Sequence, residues 1–111
     1  MLILGLTEAL LFRVAKRWIA GQDLDSAIAN AKKANGKGMS VIANFLGEDI
    51  TDAKTADSHA EEYVSLQNAI SARSVRGCAS VKLTQFGLGS DDSGATRRLE
   101  QVAANAERLN Q

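Results

Sequence analysis

The sequence predicts an α/β fold in which two parallel strands, each followed by a helix, stand behind two leading helices. Apolar residues recur at helical spacing in four stretches, whereas two short runs, Met39–Phe45 and Cys78–Leu83, alternate with period two. A helical stretch rather than a tight hairpin turn separates those runs. Strands joined by a helical crossover must be parallel, and parallel sheets need cover on both faces.

Taken in order, Leu6 to Ala20 holds no Gly or Pro. Leu10, Leu11, Val14 and Trp18 recur beside Arg13, Lys16 and Arg17, which predicts an amphipathic packing helix closed by Gly21, with a membrane-surface helix as the lesser reading. Asp23 is placed to cap a second helix through Leu24, Ala27, Ile28 and Ala31, ending near Asn35-Gly36. The first strand puts Met39, Val41, Ala43 and Phe45 on one face and Ser40, Ile42 and Asn44 on the other. Thr51-Asp52 caps a long helix whose inward stripe is Ala56, Ala60, Tyr63, Leu66 or Gln67, and Ile70. In the second strand Ala79, Val81 and Leu83 oppose Cys78, Ser80 and Lys82. A loop rich in Gly, Ser and Asp, Gly87 to Gly94, leads to a last helix over about Ala95–Leu109 with Leu99, Val102, Ala103, Ala106 and Leu109 as its stripe.

Length and composition bound the function. One domain of 111 residues with 45% hydrophobic and 23% charged residues should bury a core. Lys plus Arg (13) balance Asp plus Glu (13), so charge gives no reason to expect nucleic acid. A single cysteine forms no internal disulfide and is expected as a small, buried, inert thiol. The opening Met1 to Leu6 lacks the basic residue and cleavage site of a signal peptide, and a helix of about 15 residues is too short to span a bilayer. A cytoplasmic location is the default expectation, with contact at the membrane periphery left open.

Two parallel strands alone leave two unpaired edges and a polar face with nothing opposite it. A complete (βα)8 barrel takes about 250 residues. These 111 residues therefore read as a partial (βα)8 TIM-type barrel: a helical lead-in over residues 1–38, then two βα units over 39–111. The chain is either a fragment or completes its sheet with another copy or a complementary chain.

Lys82 is the leading candidate for chemistry. On the inner side of a barrel strand it would bind a carboxylate or form an aldolase-like Schiff base; on an edge strand it would simply discourage aggregation. Glu48 lies in the kind of βα loop that supplies active-site residues, or is a solvated loop acid. Asn44 faces inward near Lys82, or is a buried amide satisfying its neighbours. His59 reads as a surface histidine with no metal-ligand partner at suitable spacing. Gly87 to Gly94 is not a phosphate-binding fingerprint, and Asp91 and Asp92 read as turn and cap residues.

Three blocks carry a resemblance. Arg17-Trp18-Ile19-Ala20-Gly21-Gln22-Asp23-Leu24 with Ala27-Ile28, then Phe45-Leu46-Gly47-Glu48-Asp49-Ile50-Thr51-Asp52, then Ser80-Val81-Lys82-Leu83-Thr84-Gln85-Phe86-Gly87-Leu88, resemble the N-terminal part of a flavin-dependent proline dehydrogenase. The resemblance implies a distorted barrel that binds FAD, oxidises L-proline to 1-pyrroline-5-carboxylate and passes electrons to a quinone. It implies that Lys82 pairs with the substrate carboxylate alongside arginines from a late helix. Glu48 would pair with one of those arginines and help close the site. Asn44 stands where that family usually has an aspartate. The later strands, most FAD-binding groups and the paired arginines have no counterpart in these residues, so this chain by itself is expected to be inactive.

Overall fold

The computed structural model describes residues 2–15 and 19–111. Its elements are α1 (Leu2–Ala15), α2 (Leu24–Gly36), β1 (Val41–Ala43), α3 (Ala53–Ala72), β2 (Gly77–Ala79), a 3₁₀ turn (Leu83–Phe86) and α4 (Asp92–Leu109). The strands form a parallel pair in the register Val41↔Gly77, Ile42↔Cys78 and Ala43↔Ala79. The result is a mixed α/β arrangement with helices on one face of a two-stranded sheet.

Side chains set the helix starts. The carboxylates of Asp23, Asp52 and Asp91 accept from the backbone amides of Ser26 (2.8 Å), Thr55 (2.8 Å) and Gly94 (3.1 Å). Each of these carboxyls is thereby held below its usual pKa. For Asp23 and Asp91 the capped amide is the main cause, and for Asp52 it is the Thr55 hydroxyl. Asp92 serves the preceding turn, accepting from the Gly89 amide at 2.7 Å.

Helix α3 is the centre of the packing, touching α2, β2, the 3₁₀ turn and α4. Its buried side chains are Ala56, Ala60, Tyr63, Leu66, Gln67 and Ile70, the stripe the sequence predicts. Against it lie Ile28 and Ala31 of α2, Phe86, and Ala95 and Val102 of α4, with Val41, Ala43, Phe45, Ala79 and Val81 packed from the sheet side. The α3–α4 contact is partly polar: Gln67 Nε2 donates to the Val102 carbonyl (3.1 Å), and Asn105 Nδ2 donates to Gln67 Oε1 (2.8 Å). Asn35 fastens α2 to both strand entrances, donating to the Met39 and Arg76 carbonyls (2.9 and 3.0 Å) and accepting from the Arg76 amide (2.7 Å).

Several expectations need correction. Both strands are shorter than their period-two runs, because a ladder extends only where both partners supply paired groups; Lys82 lies past β2 in extended backbone, and Leu83 opens the 3₁₀ turn. Met39 is exposed rather than inward, since β1 begins two residues later. Cys78 is exposed, not buried, because it points to the face without helices. Ala103 is exposed, and Arg98 is buried on α4 in its stead.

The leading helix departs most. Leu10, Leu11 and Val14 of α1 are exposed, so these three members of the expected packing stripe are not buried. Trp18, with Lys16 and Arg17, lies outside the described residues. Among the described residues no helix is long and apolar enough to cross a membrane.

Candidate functional site

The site is built where the chain leaves the two strands. After β1 it runs through Phe45 into the Leu46–Ile50 loop. Gly47 adopts φ 129° and Asp49 φ 53°, so Glu48 is presented between two residues with positive φ. Glycine suits the first, and aspartate is among the few side chains that tolerate the second.

This loop is pinned at both ends to the segment that follows β2. At its start, Gln85 Nε2 donates to the Phe45 carbonyl (2.9 Å), while the Phe45 amide donates to the Tyr63 hydroxyl (3.3 Å). That hydroxyl donates in turn to Gln85 Oε1 (2.7 Å). At the far end the Ile50 amide donates to the Thr84 carbonyl (3.0 Å). Tyr63 and Gln85 are fully buried, and Tyr63 stands edge-to-face between Phe45 (5.0 Å) and Phe86 (5.7 Å). Burial pushes the Tyr63 hydroxyl above its usual pKa, against the opposing pull of the Phe45 amide and the Lys82 charge.

The two pinned segments bring Lys82 and Glu48 together: Lys82 Nζ donates to Glu48 Oε1 at 3.0 Å. Their side chains are 37% and 62% exposed, so the pair sits at an open rim where such contacts are worth roughly 0–1 kcal/mol. It is easily exchanged. A carboxylate arriving from solvent could replace Glu48 on the ammonium at little cost.

A second polar centre supports the first. Arg98, 2% exposed, donates through Nε to Asp57 Oδ1 (2.6 Å) and through its terminal nitrogens to the Phe86 carbonyl (2.8 Å), Asp91 Oδ2 (3.2 Å) and the Ala53 carbonyl (3.3 Å). Those carboxylates hold its pKa above the usual arginine value. One side chain thus ties the starts of α3 and α4 to the end of the 3₁₀ turn that carries Gln85. Arg98 was hidden in the sequence because an arginine inside an apolar stripe reads as a solvated residue; the carboxylates at Asp57 and Asp91 were its only signal.

The remaining candidates are not drawn together. Asn44 is exposed, without a side-chain hydrogen bond, on the same uncovered face as Ile42, Cys78 and Ser80, so it is not a buried, satisfied amide. His59 is half-buried rather than at the surface, its Nδ1 3.3 Å from Glu62 Oε2, because α3 is covered along that flank. No group of three His, Cys, Asp or Glu side chains among the described residues could hold a metal ion.

A flavin dinucleotide needs donors for its pyrophosphate, usually helix N-termini or basic side chains. Here the α4 N-terminus is taken by the carboxylates of Asp91 and Asp92, which repel phosphate. The start of α4 therefore does not fit a dinucleotide's pyrophosphate.

No family model matches the chain. Comparison with curated proteins finds 30% identity over 93 residues with proline dehydrogenase 1 of Bacillus subtilis (strain 168), covering 84% of this chain and 31% of the relative. Over most of its length the chain is similar to proline dehydrogenases. Proline dehydrogenase 2 of the same strain is 28% identical over 94 residues, and the proline dehydrogenase of Deinococcus radiodurans 27% over 84 residues, covering 85% and 76% of this chain. As a proline dehydrogenase relative it spans less than a third of each of these proteins.

Proposed function

We propose that this chain forms the carboxylate-binding corner of a flavin-dependent proline dehydrogenase, built as part of a (βα)8 barrel from a lead-in at 1–38 and two βα units at 39–111. The pinned Lys82–Glu48 pair at the strand exits carries the reading. Lys82 offers the substrate carboxylate a positioned cation, and Glu48, its resting partner, is released to close the rim. The reaction is oxidation of L-proline to 1-pyrroline-5-carboxylate, with FAD accepting the electrons and a quinone taking them on, in the cytoplasm or at the membrane periphery. Since the chain spans less than a third of the relatives it matches, the 111-residue chain alone neither holds the flavin tightly nor turns over proline.

Amide NMR titration of the isolated chain tests the corner. L-proline should shift Lys82 and Glu48 resonances, prolinamide should not, and Lys82→Met should abolish the response. Equal responses to the acid and the amide, or none, would remove the assignment. Proline-dependent dye reduction by the purified chain with added FAD would overturn the claim of inactivity.

A second reading is a non-catalytic part-barrel that associates with itself or with a complementary chain. It is favoured by the sheet, in which the Val41 amide donates to the Arg76 carbonyl and the Ser80 amide to the Ala43 carbonyl, and in which, among the described residues, no third strand pairs with either outer edge.

A further inference from the structure

The even charge balance of the whole chain conceals a local asymmetry. Residues 26–47 and 63–90 hold no Asp or Glu, yet they carry Lys32, Lys33, Lys37, Arg73, Arg76 and Lys82. The fold brings all but the last to one end of the molecule, where α2 and α3 stop and both strands start. Lys32 Nζ donates to the Ser74 carbonyl (3.3 Å), the Asn35 side chain holds the Arg76 backbone, and Arg76 Nη2 donates to the Met39 carbonyl (3.2 Å). Lys33 lies in the last turn of α2, and Lys37 and Arg73 follow the last residues of α2 and α3. Lys32, Lys33, Lys37, Arg73 and Arg76 are all exposed, and among the described residues none has a carboxylate partner. The end of α4, where Arg108 reaches Asn68 of α3 (3.2 Å), adds Glu107 and Arg108, which offset each other.

Favourable placement at helix C-termini accounts for Lys33, Lys37 and Arg73 taken singly. It does not account for Arg76, at a strand entrance, nor for the apolar side chain that stands beside these cations. Met39 is 51% exposed, on a turn over residues 36–39 where a Cβ at Gly36 or Gly38 would meet nothing within 4 Å. A flexible apolar side chain on an open turn, flanked by cations without partners, suits a negatively charged lipid surface. We propose that this end of the molecule docks on an anionic bilayer, the cations against the headgroups and Met39 at the boundary with the acyl chains. A nucleic acid is the poorer fit, since none of these residues is aromatic and could stack on a base. The proposal gives a surface to the membrane-periphery option above. It does not depend on the proline reading, because Lys82 and Glu48 lie where the chain leaves the strands, at their other end.

Co-sedimentation of the full chain with vesicles decides, comparing phosphatidylcholine alone with equal parts of phosphatidylcholine and phosphatidylglycerol. At about 0.1 M salt the chain should bind the anionic vesicles and not the neutral ones, and about 1 M salt should release it. Lys33→Gln with Lys37→Gln and Arg73→Gln should weaken binding by about 100-fold, and Met39→Ser alone by about 5-fold. Lys54→Gln with Arg97→Gln, at the starts of α3 and α4, should change it by less than about 2-fold. All these side chains are exposed, so circular dichroism should be unaltered. Failure to bind, equal binding to both vesicles, or binding that survives the triple change, as it would if α1 were the contact, would overturn the proposal. Tighter binding of a labelled DNA duplex through the same three cations would overturn it too. The proline response at Lys82 is read separately by NMR, so either result can fail without the other.

Discussion

Replacing Tyr63 by phenylalanine removes a single oxygen that serves two partners. Gln85 Oε1 loses its donor and the Phe45 amide its acceptor, both in a dry setting. Leaving a buried polar group unsatisfied costs about 1–3 kcal/mol. Urea denaturation of Tyr63→Phe should show a loss of that size, and Gln85→Leu a similar one. The double variant should lose less than the sum, because each change has already broken the shared bond. Arg98→Met removes four hydrogen bonds from one fully enclosed guanidinium, and charge-assisted bonds contribute about 1.5–3 kcal/mol when lost. Arg98→Lys should recover little, since an ammonium cannot reproduce the planar fork. The sequence offered Lys82 and Glu48 as candidates through their places beside the apolar runs, and Tyr63 as a core residue through helical spacing. It did not show that Tyr63 and Gln85 set the distance between the first two, since that depends on loop ends meeting across 40 residues of chain.

Helices were legible where a local rule was sufficient. Asp23 and Asp52 cap where an aspartate precedes an apolar-periodic run, and α3 buries the stripe its spacing requires. Strand length was not, because it depends on a neighbour: Ser80 to Lys82 stays extended but has no ladder to join beyond Ala43. Gly77 sits close against β1, for a Cβ there would lie 2.2 Å from the Val41 carbonyl oxygen. Gly77→Ala should therefore part the strands, and the fast hydrogen exchange that results at the Val41 and Ser80 amides would report it. The caps also set the acid limb of stability. Asp23, Asp52 and Asp91 have folded-state pKa values below 3.8, so their contribution is fully present above that value and is lost as pH falls through the depressed values. The urea midpoint should hold from about pH 7 to 5 and fall below about pH 4. Asp23→Asn with Asp52→Asn keeps the caps but removes their charge, and should flatten that fall.

At the scale of the whole molecule, the radius of gyration is 15.6 Å, against about 13 Å for a compact chain of this length. Among the described residues no side chain of α1 enters the buried core, Leu10, Leu11 and Val14 are exposed, and the sheet has helices on one face only. Stability is therefore concentrated in α2, α3, α4 and the 3₁₀ turn, and it should not depend on the leading helix within one chain. Removing residues 1–18 should change the unfolding free energy by no more than about 0.5 kcal/mol when measured at sub-micromolar concentration, where chains are separate. A large loss on truncation at low concentration would instead mean that α1 supports its own core. The proline response at Lys82 should survive the truncation, because that corner is pinned by Gln85, Thr84 and Tyr63.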